Sequence, residues 1–233
     1  AARLKADLPQ EETAPEASMG DVLDLDDIHV EFAPDLVAMV LDPATGLDAR
    51  IANMRRHVAS TYGVILPEIR LTDNSALPSG SYAVRIHGVV QARDRLRADG
   101  LLALVGEPGE PLPPGEDVAE PVYGAPARWI GEEAREAASL AGTTVVAPAE
   151  VLATHLLEVI KRNFPRLLTL KALRRLLHEM ANLSDPARAE ANRKMLDELV
   201  PDRVPVDLLL SVLRLLLEER VSIRNLPLIL EAI

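Results

Sequence analysis

Before about residue 148 the apolar positions of this chain mostly alternate; after it they recur at three- and four-residue steps. Ile28-His29-Val30-Glu31-Phe32, Ile69-Arg70-Leu71 and Tyr82-Ala83-Val84-Arg85-Ile86 read as half-buried strands, with turn chemistry at Asn74-Ser75 and Pro78-Ser79-Gly80 between the last two. Leu101-Leu102-Ala103-Leu104-Val105 is a further buried-strand candidate. One helix interrupts these strands. From Leu47 to Tyr62 the apolar residues Ile51, Met54, Val58 and Tyr62 form a one-sided stripe, and Gly63 is a natural stop just past its end.

From Pro148 onward the pattern is all helix. Leu152, Leu156, Val159 and Ile160 form one stripe, and Leu173, Leu176, Leu177 and Met180 the next. Asp185-Pro186 is a cap followed by a first-turn proline for a helix reaching about Val200. Pro205 starts another through Leu209, Val212, Leu213, Leu216 and Leu217, ending at Glu218-Glu219-Arg220. Asn225 then caps a last helix with Pro227 in its first turn. Short connections imply an antiparallel helical subdomain. Periodicity by itself therefore predicts an α+β part followed by an all-α part.

Two stretches carry no such pattern. Residues 1–20 are rich in Glu, Ala and Pro and nearly devoid of large apolar side chains, so they read as a flexible linker. Residues 106–128 hold six prolines among Gly and Glu and read as an extended surface loop. An SH3-type ligand there would need a basic flank, and the stretch is acidic.

Composition narrows the functions. With 233 residues and 48% hydrophobic content the chain can bury sizeable cores, built from Leu, Val, Ile and Ala because aromatics make up only 3%. There is no cysteine, hence no disulfide framework or thiolate site. No apolar run approaches the roughly 20 residues that cross a bilayer as a helix. Residues 1–150 carry 12 Lys/Arg against 25 Asp/Glu, a balance of −13; residues 151–233 carry 13 against 11, a balance of +2. So acidic a front half argues against nucleic acid as the main partner. The basic cluster Lys161-Arg162, Arg166, Lys171, Arg174-Arg175 reads as the solvated face of two helices, with Lys161-Arg162 favourably placed near a helix C-terminus.

Signatures of catalysis are sparse. The five histidines (His29, His57, His87, His155, His178) lack the paired spacing of zinc sites. His155 and Glu158 lie one helical turn apart and could touch one ion, the basis of an alternative reading as a metal-dependent hydrolase, but two ligands fall short of the three or four a site needs. Among apolar neighbours, His155 reads as structural, its imidazole bonded to a backbone carbonyl of an adjacent segment. No glycine-rich phosphate loop and no G-x-S-x-G elbow is present. The expected answer is not an enzyme, with no cofactor and no metal.

Several motifs occur in a fixed order. Pro67-Glu68-Ile69-Arg70-Leu71-Thr72-Asp73-Asn74 precedes Tyr82-Ala83-Val84-Arg85-Ile86-His87-Gly88-Val89. Tyr123-Gly124-Ala125-Pro126-Ala127-Arg128-Trp129-Ile130 follows, then Thr144-Val145-Val146 with Val151-Leu152-Ala153-Thr154-His155-Leu156. Leu199-Val200-Pro201 and Glu219-Arg220-Val221-Ser222-Ile223-Arg224-Asn225-Leu226-Pro227-Leu228-Ile229-Leu230-Glu231-Ala232 complete the series. This order resembles the FHIPEP family, the export-gate proteins of flagellar and virulence type III secretion, and most of all its flagellar branch. The resemblance implies a thioredoxin-like α/β first subdomain, residues 21–45 and 89–147, interrupted by an inserted ferredoxin-like (RRM-like) subdomain, 46–88. A helical subdomain, 148–233, would follow, with residues 1–20 as the linker. It also implies that the family's membrane-spanning half and C-terminal subdomain lie outside this chain.

The function so implied is a non-catalytic cytoplasmic ring, a nonamer, at the cytoplasmic face of the bacterial inner membrane. It would dock export chaperones carrying their cargo, together with components of the export ATPase complex, and help order secretion. A virulence (injectisome) homologue is the alternative. The family's docking dimple, between the first and second subdomains, maps here onto Thr61 and Val64, with His87 and Arg95 on the facing segment, and Val64 at the mouth of a cleft. The family commonly has an acidic residue in place of Thr61 and Phe in place of Val64.

Overall fold

A computed structural model describes residues 23–106 and 113–233. The proposed linker of residues 1–20 lies outside them. Strand β1 (Ile28–Phe32) leads through a short helix α1 (Val37–Val40) into the long helix α2 (Leu47–Tyr62), and then to β2 (Ile69–Asp73), β3 (Ser81–Ile86) and β4 (Val89–Arg95). These four strands form one sheet in the order β2-β1-β3-β4. β1 and β2 are parallel, Ile28 opposite Ile69, while β3 is antiparallel to β1 with Ile86 opposite Ile28. A parallel pair cannot be closed by a tight turn, and α2 supplies the crossover. Ile28, Val30 and Phe32 are fully buried while His29 and Glu31 are half-buried, as their alternation predicts.

The helix α2 buries Leu47, Ile51, Met54 and Val58 on its apolar stripe and stops at Gly63, which is left-handed (φ 75°). A second sheet, order β6-β7-β5-β8, comprises β5 (Gly100–Leu104), β6 (Gly115–Ala119), β7 (Pro126–Gly131) and β8 (Val145–Val146). The helix α3 (Arg135–Leu140) precedes β8. Leu101, Ala103, Ile130 and Ala138 form a small core of their own, while Leu102, Ala127 and Trp129 join the main core. β5 is thus covered on both faces, which accounts for its unbroken apolar run.

The helices after β8 are α4 (Pro148–Arg162), α5 (Phe164–Leu167), α6 (Leu170–Ala181), α7 (Pro186–Leu199), α8 (Val206–Glu218) and α9 (Leu226–Ala232). Pro148 opens α4, the Asp185 carboxylate accepts from the Ala187 and Arg188 N–H groups, and Asn225 caps α9 by accepting from the Leu228 N–H. In α8 the fully buried positions are Leu209, Leu213 and Leu217; Val212 and Leu216 are only half-buried. In α6 only Leu173 of the expected stripe is fully buried.

The expected nesting is overturned. Residues 46–88 are no separate inserted unit, because β1 pairs with both β2 and β3, making 28–95 one continuous unit. The inserted piece is instead 100–146, since α4 returns to the first unit: Arg50 on α2 pairs with Glu150 on α4, and Tyr82 on β3 bonds His155 on α4. Strand alternation identifies a strand without identifying its neighbour, so the boundary between the two units is not contained in it. The proline-rich loop is also corrected in part. β6 and the start of β7 lie within 106–128, with Pro126 at the first position of β7 and Pro113-Pro114 just before β6; residues 107–112 are outside the described part.

Candidate docking surface

The four dimple candidates do not meet at one place. Thr61 is exposed on the last turn of α2, with Oγ1 3.5 Å from Nδ1 of His57. Val64 is only 3% exposed and belongs to the core. The chain leaves Gly63 in extended form, so Val64 and Leu66 point inward while Ile65 and Pro67 remain partly exposed. The expectation of Val64 at a cleft mouth is therefore corrected by one residue: Ile65 and Pro67 line a groove of about 630 Å³ that Asp24, Glu68, Lys171 and Arg175 also border.

His87, in the β3–β4 turn with φ 48°, lies at the same end of the sheet. Its Nε2–H donates to the Arg166 carbonyl at 3.2 Å, and Nδ1 is 3.3 Å from the Asp27 carboxylate. Arg95 stands at the opposite end of the hairpin, paired with Ser81 rather than with Ile86. At roughly 3.3 Å per strand residue, about 20 Å separates it from His87. The candidates split into two surfaces at the two ends of one sheet.

Arg95 borders the cleft between the two sheets, about 710 Å³ in volume. Val118, Ala119, Pro121 and Trp129 give it apolar lining; Asp35, Asp94, Arg97, Asp99 and Glu116 make it charged. The Arg95 guanidinium donates to the Ser79 carbonyl at 3.3 Å. Asp35 accepts from the Ser79 hydroxyl at 2.6 Å and from the Gly80 N–H, and these bonds hold its carboxyl below the usual carboxylate range. Arg97 pairs with Glu116. Apolar and charged side chains thus share one cleft, a combination found at protein-docking surfaces.

His155 is structural in a different way from that expected. Its partner is not a backbone carbonyl but the buried Tyr82 hydroxyl, which donates to Nδ1 at 2.6 Å. In the neutral ring the proton then sits on Nε2. Burial pushes the Tyr82 phenol far up, helped by the nearby Asp94 and Glu120 charges. Burial likewise lowers the His155 pKa, against the opposing pull of Asp94 and Glu120. Glu158, also buried, is paired with Lys161 at 2.6 Å, and that bond raises the Lys161 pKa. His155 and Glu158 thus serve separate partners. Among the described residues no three His, Asp or Glu side chains are grouped to hold a metal.

One structural carboxylate escaped sequence reasoning. Glu120 is buried and accepts the N–H groups of Val122, Tyr123 and Ala125, stapling the turn before β7. Arg162 closes the same turn by donating to the Val122 carbonyl at 3.3 Å. A glutamate just ahead of Pro121 and Gly124 was the available signal. In the basic cluster, Lys161 and Arg162 are thus engaged, whereas Arg166, Lys171, Arg174 and Arg175 are exposed, as a solvated face should be.

Two small sheets, the second inserted ahead of a helix that returns to the first, followed by a helical unit, define a recognisable class. The FHIPEP family model matches residues 2–233, and the chain belongs to that family. Among relatives, the flagellar biosynthesis protein FlhA of Caulobacter vibrioides is 36% identical over 233 residues, covering 100% of this chain and 32% of the relative. FlhA of Bacillus subtilis is 34% identical over 218 residues, 93% of this chain and 31% of its own length. The chain spans about a third of the length of these relatives. The fold is similar to that of the Chlamydia pneumoniae CdsV protein, with TM-score 0.71 at 19% identity over 94% of this chain and 61% of that one. It also resembles the nonameric SctV-C of EPEC, with TM-score 0.61 at 17% identity over 89% of this chain and 58% of that one.

Proposed function

We propose that this chain is the docking part of a flagellar type III export gate, a non-catalytic platform that receives export chaperones with their cargo. The observation that carries this reading is 36% identity to an FlhA protein along the entire chain. The virulence alternative rests on fold likeness at 17–21% identity to SctV-C and CdsV, so the flagellar branch is favoured. We place the docking surface in the cleft between the two sheets, because it combines the apolar lining of Val118, Pro121 and Trp129 with the charge of Arg95. It also lies between the first and second units, as the family's dimple does.

In the longer protein this part stands at the cytoplasmic face of the inner membrane and assembles into a ring. Ring assembly is supported by the nonameric state of SctV-C, and contact with the export ATPase complex by the complex of CdsV with CdsO. Calorimetric titration with flagellar chaperone–cargo complexes tests the proposal. Binding that Arg95→Glu weakens about tenfold or more, at unchanged melting temperature, is expected for a charge at a docking rim. Absence of binding by every flagellar chaperone would remove the docking role. Binding indifferent to Arg95→Glu would move the surface elsewhere.

A further inference from the structure

The last turn of α2, where docking was expected from the sequence, is occupied from another direction. The connector between α8 and α9 lies against it. The Ile223 N–H donates to the Tyr62 carbonyl at 2.9 Å and the Ser222 hydroxyl to the Thr61 carbonyl at 2.8 Å. A helix end leaves its final carbonyls without intrahelical partners, and here a segment some 160 residues away supplies two of the missing donors. Ile223 is 1% exposed, so it anchors the connector in the main core as well.

Gly63 makes this approach possible. Its φ of 75° suits a residue without a side chain, and an added Cβ would stand 2.5 Å from both Cα and N of Arg224. The connector backbone occupies the space a side chain would fill. At its other end α8 closes with Arg220 in the left-handed region, φ 59°, where glycine is usual. The Val221 N–H reaches the Leu216 carbonyl at 2.8 Å and the Arg220 N–H the Leu217 carbonyl at 3.1 Å, the two bonds of a Schellman closure. A left-handed arginine costs conformational energy and persists where its surroundings hold it. Beyond the connector, α9 buries only Leu226 and Leu230 and leaves Leu228 59% exposed.

We propose that residues 222–225 form a latch that pins the connector ahead of α9 to the first unit while α9 itself lies on α7, with Gly63 as the keyhole and Arg220 as the pivot. Opening the latch releases α9 as a body while α2 and α8 stay folded. The orientation of α9 is thereby tied to the state of the last turn of α2, and Thr61 and Gly63 act as a joint within the chain. This holds whether or not the cleft at Arg95 docks a chaperone.

Hydrogen exchange on the full chain tests the latch. Gly63→Ala should speed exchange of residues 223–232 by about tenfold or more, with 209–217 on α8 and 51–58 on α2 unchanged. Gly142→Ala is the control: Gly142 has φ 80° but nothing within 4 Å of an added Cβ, so it bears the same backbone strain without the collision. It should leave residues 223–232 as protected as in the wild type. Ser222→Ala, which removes one hydrogen bond and adds no bulk, should speed exchange of the same residues to a smaller extent. Faster exchange spread evenly over α2, α8 and α9 in Gly63→Ala would overturn the latch, as would unchanged protection of 223–232 in Gly63→Ala or in Ser222→Ala.

Discussion

Replacing Val64 by aspartate separates a core position from a docking position. Val64 is 3% exposed, packed in the main core behind the last turn of α2. Losing the buried valine costs about 1.5–3 kcal/mol of burial. A carboxylate at that site must be neutralised to remain inside. Holding an Asp of ordinary pKa about 3.9 protonated at pH 7 costs about 4 kcal/mol, at 1.36 kcal/mol per pH unit. The sum, about 6 kcal/mol, rivals the whole stability of a typical domain, 5–15 kcal/mol. The sign with pH follows directly. The folded-state pKa of the new carboxyl is raised above its unfolded value, so the penalty is largest at neutral pH and shrinks as pH falls toward about 4. Urea unfolding of Val64→Asp, compared with wild type at pH 7 and pH 5, should recover about 2.7 kcal/mol of the difference at the lower pH. Val64→Ala, which keeps the site apolar, should cost about 1–3 kcal/mol with no pH dependence of its own. A Val64→Asp protein within about 1 kcal/mol of wild type at both pH values would refute the burial and restore Val64 to the surface.

Tyr82→Phe should cost about 1–3 kcal/mol in denaturant unfolding, because it leaves the buried Nδ1 of His155 without its donor. Burial depresses the His155 pKa in the fold below its unfolded value near 6.5, so the stability held by neutral His155 is complete above about 6.5 and is lost as pH falls. His155→Gln should flatten that acid-side slope, and a His155 NMR titration midpoint at or above about 6.5 would contradict the assignment. Leu213→Ala, at a fully buried position of α8, should cost about 2–5 kcal/mol, whereas Leu215→Ala, 62% exposed, should change stability by under about 0.5 kcal/mol; equal losses would show that the helix packs on a different face. Glu120→Ala should cost about 2–3 kcal/mol and raise hydrogen exchange at Val122 and Tyr123, since one side chain holds both N–H groups; unchanged exchange would mean the turn holds without it.

Local chemistry was legible in the residues themselves. The helix from Leu47 to Tyr62, its stop at Gly63, the opening of α4 at Pro148 and the Asp185 and Asn225 caps all follow from spacing and from what one side chain can do for its nearest backbone. The ordered motifs identified the family for the same reason: identity along a chain survives without knowledge of contacts. What the tertiary structure decided is pairing at long range. Whether Ile28–Phe32 joins one sheet or another depends on neighbours some forty to sixty residues away, and alternation is the same in either case. Val64 and Ile65 are both apolar, and only the direction in which the chain leaves Gly63 sends one into the core and the other to a groove. Likewise no local rule could couple His155 to Tyr82, place His87 and Arg95 at opposite ends of a hairpin, or lay residues 222–225 across the end of α2. Each depends on two distant segments sharing one space, which the sequence by itself does not encode locally.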